Sequence, residues 1–183
     1  DYLKAGESRV FVYYVGHGAP DIESGDAYFV PVDANPEYLK ASGYKLQTFY
    51  NNLSKLPAKS ITVVIDACFS GSSSGGLLFK GVSSITLREI QQTKKPQDAI
   101  IFASAADDQV STWYPEKRHS LFTYYFLNGL QGEADKSRDN EITVAEMQSY
   151  LADKVPYWAR RLKGTKQVPQ ISGNGSHILA KLK

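Results

Sequence analysis

Two residues invite a chemical reading. Cys68, the only cysteine, stands in "ITVVIDACFSG" (61–71), directly after an apolar, β-branched run; His17 stands in "YYVGHGAP" (13–20), between two glycines and after a similar run. A thiol attacks a carbonyl as its thiolate, and an imidazole within reach can take the proton and later deliver it to a leaving amine. The ordinary role of a lone cysteine is that of a small buried hydrophobe. Such a residue belongs inside a strand rather than at its end, and no second cysteine exists to form a disulfide. The glycines around His17 let the backbone approach a substrate closely, and the Gly18 amide is suited to holding an oxyanion.

The elements that must position this pair follow from hydrophobic pattern. "RVFVYYV" (9–15), "ITVVIDA" (61–67) and "DAIIFASA" (98–105) are continuous apolar runs, as expected of strands covered on both faces. Helical spacing marks 46–56, ended by Pro57; 120–130, with Ser120 as N-cap; and 143–162, where Pro156 is expected to kink or break the helix. The tail offers strands in "QVPQIS" and "SHILAKL", around the turn residues Gly173, Asn174 and Gly175. Strands alternating with helices indicate an α/β domain with a mostly parallel sheet and helices on both faces. Ligands in such sheets bind at the carboxyl ends of strands. His17 and Cys68 each follow a strand, so parallel neighbours bring both to one edge.

Composition sets the bounds. A chain of 183 residues with 42% hydrophobic and 22% charged residues suits one folded domain, 1–183. A formal net charge of +2 gives no footprint for nucleic acid or a membrane surface. No apolar run approaches the roughly 18 residues of a membrane span, and the opening "DYLKAGESR" has no signal-peptide pattern. The single cysteine favours a reducing, cytoplasmic setting.

"YYVGHG" followed by "DACFSG" resembles the caspase-like cysteine peptidases, nearest to the bacterial caspase-like proteins and metacaspases. The order, histidine first and cysteine about 50 residues later, fits that family. Further similarity lies in "PVDANPEYL" (31–39), in 103–130 and in "VPQISG" (168–173). The resemblance implies a caspase-like three-layer sandwich and a cysteine endopeptidase acting on protein or peptide substrates without a cofactor in catalysis. It makes His17 the general base, Cys68 the nucleophile, and the amides of Gly18 and Cys68 the oxyanion hole. Asp66 lies two residues before Cys68 and shares its strand face; the matching metacaspase aspartate selects Arg or Lys before the scissile bond. Asp26 is a second substrate-binding candidate, and Asp107 and Asp108 are weaker ones. "DACFSG" lacks the arginine of the caspase "QACRG" motif, which argues against cleavage after Asp. Val15 replaces the usual metacaspase Ser, Phe69 replaces a His, and 41–52 carries no pair of calcium-binding aspartates. Family members also have two strands before the histidine strand. The sheet is therefore expected to lack its first strands and to be completed by a preceding segment or a second chain.

Two further patterns stand apart. "DKSRDNEITVAE" (135–146) fits the EF-hand template, with Asp135, Ser137, Asp139, Glu141 and Glu146 as candidate calcium ligands and Asn140 at the glycine position. An Asx-rich helix-capping loop is the competing reading. "GSSSG" (71–75) matches the nucleophile-elbow pattern at Ser73, but Cys68 already occupies the strand end. His119 and His177 read as structural, with His119 nearer the cleft. The alternative to an enzyme is a catalytically silent caspase-like module that binds a protein partner.

Overall fold

The computed structural model describes residues 2–21, 24–35, 38–67, 98–106 and 109–183, with 72–73 and 76–77 as backbone. In chain order the elements are β1 (Arg9–Val15), β2 (His17–Pro20), β3 (Ala27–Val30), α1 (Leu39–Ser42), β4 (Tyr44–Lys45), α2 (Leu46–Leu53) and β5 (Ser60–Asp66). Then come β6 (Ser72–Ser73), β7 (Gly76–Leu77), β8 (Ile100–Ala103), β9 (Trp113–Tyr114), β10 (His119–Ser120) and α3 (Leu121–Asn128). β11 (Glu141–Thr143), α4 (Val144–Lys163), β12 (Gln170–Ser172) and β13 (Ile178–Lys181) follow.

The apolar runs build one sheet in the order β1-β5-β8-β12. The first three strands are parallel, and β12 runs antiparallel to β8. β5 is buried throughout from Ile61 to Asp66, as its unbroken apolar pattern requires. Its side chains alternate between two cores. Val64, with Ile100 and Phe102, packs under α3 and α4 through Phe122, Phe126, Met147 and Leu151. Ile61, Val63 and Ile65 face the other way, onto Phe29 of β3 and Leu46, Tyr50 and Leu53 of α2. Each fully buried Val, Ile or Phe contributes about 1.5–3 kcal/mol, so this two-sided burial fixes β5 as the central plank. The result is the expected three-layer α/β sandwich.

β1 departs from the expected pattern. Its residues alternate between exposed and half-buried positions rather than being covered on both faces. Among the described residues β1 pairs only with β5, and Phe11, Tyr13 and Val15 are 57%, 42% and 56% exposed. β8 is also shorter than the apolar run suggests. Asp98, at φ 60, turns the chain just before it, although the Ser104 amide still reaches the Ile65 carbonyl at 2.9 Å.

The second departure is α4, which runs unbroken through Pro156. A proline removes one amide and crowds the preceding turn. Here Val144, Met147, Leu151, Val155 and Ala159 form a fully buried stripe on both sides of it, and that burial overrides the local penalty. The start of α4 is a capping box: the Glu146 amide donates to Thr143 Oγ1 at 3.2 Å while Glu146 Oε2 accepts the Thr143 amide at 3.0 Å. Gly164, at φ 66, ends the helix in the left-handed conformation. No helix among the described residues is long and apolar enough to cross a membrane.

The capping box makes an acid-stability prediction. Hydrogen bonds from the backbone at Thr143 and then Ser137 pull the Glu146 carboxyl from 4.5 down to about 2. A depressed folded-state pKa contributes stability above the unfolded value that is lost as pH falls through the folded one. Thermal melts of wild type and Glu146→Gln should therefore differ most above about pH 4.5 and converge towards about pH 2. A gap that stays constant across that window contradicts the assignment.

Candidate active site

The site is built where β1 and β5 end. Their register pairs Val15 with Asp66, and one step further the Gly16 amide donates to the Asp66 carbonyl at 3.2 Å. At Gly16 the chain leaves the sheet and enters β2. A Cβ there would lie 2.8 Å from Tyr14 Oη and would push that ring aside. The same Tyr14 hydroxyl donates to the His17 carbonyl at 2.8 Å and pins the first residue of β2. His17 is exposed and pairs with Val30 of β3, while Gly18 beside it is buried. A histidine is thus held to solvent by a braced turn at the carboxyl end of the sheet.

Asp66, the last residue of β5, is only 3% exposed, and its carboxylate is surrounded by hydroxyls. Ser111 Oγ donates to Oδ1 at 2.9 Å; Thr123 Oγ1, at 2.5 Å, and Ser120 Oγ both donate to Oδ2. The Ser120 oxygen also accepts the Thr123 amide at 3.1 Å, so one hydroxyl caps α3 and binds the aspartate. Since Thr123 gives its only hydroxyl proton to Asp66, the Tyr13 hydroxyl must donate in their 2.7 Å contact. Burial, and to a lesser degree the nearby Asp66 charge, push the Tyr13 phenol upward against the lowering effect of that bond. No cation pairs with Asp66 among the described residues.

The other sequence-predicted residues lie as follows. Cys68 falls outside the described residues, as do Phe69, Asp107 and Asp108. Asp26 lies at the far end of the β2–β3 hairpin from His17, where it forms an ion pair with Lys45 at 2.7 Å. Ser73 belongs to a two-residue ladder with Gly76. His119 is exposed on β10 opposite Tyr114. His177 lines a groove with Arg9 and Phe11 beside the start of β1.

The loop read as an EF-hand is closed by its own hydrogen bonds. Asp135 accepts the amides of Arg138, Asp139 and Asn140; Asp139 accepts that of Glu141; and Glu146 accepts those of Ser137 and Thr143. Glu141 turns away to an ion pair with Lys181. Asn140 takes the left-handed conformation its place in the template requires, at φ 64. Among the described residues no three His, Cys, Asp or Glu side chains converge on a point suited to a metal ion.

Comparison with known proteins agrees with this architecture. The family model of the caspase domain, a peptidase family, matches residues 4–177. The chain belongs to the caspase-domain family. Its fold is similar to the crystal structure of a Geobacter sulfurreducens protein, with a TM-score of 0.58 and 17% identity over 100% of this chain and 74% of that one. A search of curated proteins finds no match. In this caspase domain the hydroxyl cradle was not visible from sequence. Ser120 is recognisable there only as a helix cap, and Thr123 three residues on gives the one local hint; Ser111 and Tyr13 arrive from distant segments.

Ser120→Ala removes both the α3 cap and a donor to a buried carboxylate. Loss of a cap alone costs about 0.5–2 kcal/mol, and a bond to a charged group is worth about 1.5–3 kcal/mol. Urea denaturation should show a loss of roughly 2–4 kcal/mol. A loss within about 0.5 kcal/mol of zero, the range of a neutral surface substitution, contradicts the dual role.

Proposed function

We propose that this caspase domain is a cysteine endopeptidase that cleaves peptide bonds after Arg or Lys with a His17/Cys68 dyad. The observation that carries the reading is the β1–β5 register. His17 follows Val15 by two residues, Cys68 follows Asp66 by two, and Val15 and Asp66 are direct partners. In the proposed reaction His17 takes the Cys68 proton and the thiolate attacks the scissile carbonyl carbon. The amides of Gly18 and Cys68 hold the resulting oxyanion. Collapse expels the amine, protonated by the imidazolium, and water then hydrolyses the thioester with the imidazole as base.

Specificity for a basic residue rests on charge. Asp66 has three neutral donors and no countercharge among the described residues. Ser104 supports the same reading. Ser104 and Asp66 each follow directly on the last pair of the β5–β8 ladder, Ile65 with Ala103; Ser104 is fully buried, and its hydroxyl has no partner among the described residues. A guanidinium or ammonium group supplies the missing charge and further donors. The second reading, a silent interaction module, is favoured by the exposed Phe11, Tyr13 and Val15 along β1, where a strand from a preceding segment or a second chain could pair.

A fluorogenic peptide panel varying the residue before the scissile bond separates these readings. Hydrolysis should occur after Arg and Lys, vanish in Cys68→Ala and after iodoacetamide treatment, and survive in Ser73→Ala. Activity that persists without Cys68, or no hydrolysis of any peptide, sinks the proposal. Asp66→Asn keeps the shape and one acceptor while removing the charge. It should lower kcat/KM for Arg and Lys peptides roughly ten- to hundredfold, the kinetic equivalent of one charge-assisted bond. An unchanged preference for basic residues assigns Asp66 to anchoring alone.

A further inference from the structure

Buried polar side chains are informative because each must be satisfied by something. Among the described residues all of the buried polar ones except Thr62 gather at one place. Asp66, Ser104, Gln109, Thr112, Ser120, Thr123 and Gln167 are all buried, and they are linked through hydrogen bonds or strand register around the carboxyl ends of β5 and β8. The hydroxyls around Asp66 belong to the site already described, but the two glutamines do not touch that carboxylate.

Gln167 is completely buried and uses both ends of its amide. Its Oε1 accepts the Thr112 amide at 2.8 Å and its Nε2 donates to the Ser104 carbonyl at 2.9 Å, with a longer contact to Ser111 Oγ at 3.4 Å. Gln109 returns the exchange, its Oε1 accepting the Val168 amide at 2.6 Å. Thr112 and Thr165 hydroxyls meet at 3.2 Å between the same two segments. Each glutamine therefore holds the backbone of the segment that carries the other. The clasped stretch includes Ser111, whose hydroxyl reaches Asp66 Oδ1 at 2.9 Å, and it leads into the partly exposed Trp113 on β9.

We propose that Gln167 and Gln109 form a reciprocal clasp that positions the 111–114 segment over Asp66, making Gln167 a positioning residue for recognition of the basic substrate side chain. The inference rests on the peptidase reading and deepens it. A single amide sets the height of the Ser111 hydroxyl above the carboxylate, and so the shape of the surface that a basic side chain meets. Gln167→Leu fits the same space approximately and removes every bond that the Gln167 amide makes. It unpairs the Thr112 amide and the Ser104 carbonyl and releases the segment. The nucleophile follows a different strand, β5, and its intrinsic reactivity does not pass through the clasp.

The test is steady-state kinetics on an Arg peptide together with the rate of Cys68 alkylation by iodoacetamide, a reagent too small to need the substrate surface. Gln167→Leu should raise KM about ten- to hundredfold, leave kcat within about threefold, and leave the alkylation rate within about twofold. Ser111→Ala, which loses only the link from the clasp to Asp66, should raise KM by about three- to tenfold. It decides the matter if Gln167→Leu fails to fold. Unchanged KM in Ser111→Ala, or equal falls in kcat and alkylation rate with KM unchanged in Gln167→Leu, overturns the proposal. A wild type that cleaves no peptide is a separate failure, that of the peptidase reading. Amide hydrogen exchange then judges the clasp alone: protection at Thr112 and Val168 must fall together in Gln167→Leu, and independent behaviour overturns it.

Discussion

A carboxylate buried at the end of the central strand organises this molecule. Asp66 is nearly inaccessible, yet the groups around it come from three parts of the chain: Ser111 ahead of β9, Ser120 and Thr123 at the start of α3, and Tyr13 of β1 through Thr123. Moving an ionised carboxylate out of water is costly unless hydrogen bonds replace the lost hydration, and each bond to a charged group returns about 1.5–3 kcal/mol. Those elements are therefore drawn to the point where β5 ends. The braced turn at Gly16 completes the arrangement by linking the histidine-bearing hairpin to the same residue's carbonyl.

What the sequence revealed, and what it hid, divides along the range of the interactions. β1 spans the residues its apolar run predicts, Ser120 caps α3, and Thr143 begins α4 with Glu146 three residues on. Each of these depends on neighbours within a turn or on a period of two or 3.6 residues. The hydroxyl cradle depends on contacts 45 to 57 residues from Asp66, and the glutamine clasp on contacts 55 to 63 residues apart. No local pattern encodes such meetings. Pro156 misleads for the same reason, since the stripe that preserves α4 is buried against residues distant in sequence, among them Val64, Phe102, Phe122 and Phe126.

The loop 135–146 is a subtler case. Its template match and its structure share one cause. An aspartate followed by small polar residues bonds the next backbone amides and forces left-handed residues at fixed offsets, seen here at Arg138 and Asn140. That local geometry suits an EF-hand loop and an amide-filled turn equally. Here Glu146 accepts the Thr143 amide at the α4 cap and Glu141 pairs with Lys181.

The distribution of polarity then bears on why Asp66 is there at all. Replacing a buried charge and its partners with well-packed apolar side chains is often neutral or stabilising. A carboxylate lacking a cation is therefore weak evidence of selection for stability. The two cores beneath it are rich in fully buried apolar side chains, with Val63, Val64, Ile65 and Phe102 at 0–2% exposure, so the sheet has no shortage of hydrophobic packing. On β5 the buried polar residues are Thr62 near its start and Asp66 at its end, two residues before Cys68. A negative charge held by neutral donors, with no cation beside it among the described residues, differs in this from one paired with an internal lysine or arginine. Asp26, already matched to Lys45, illustrates the second state within the same chain.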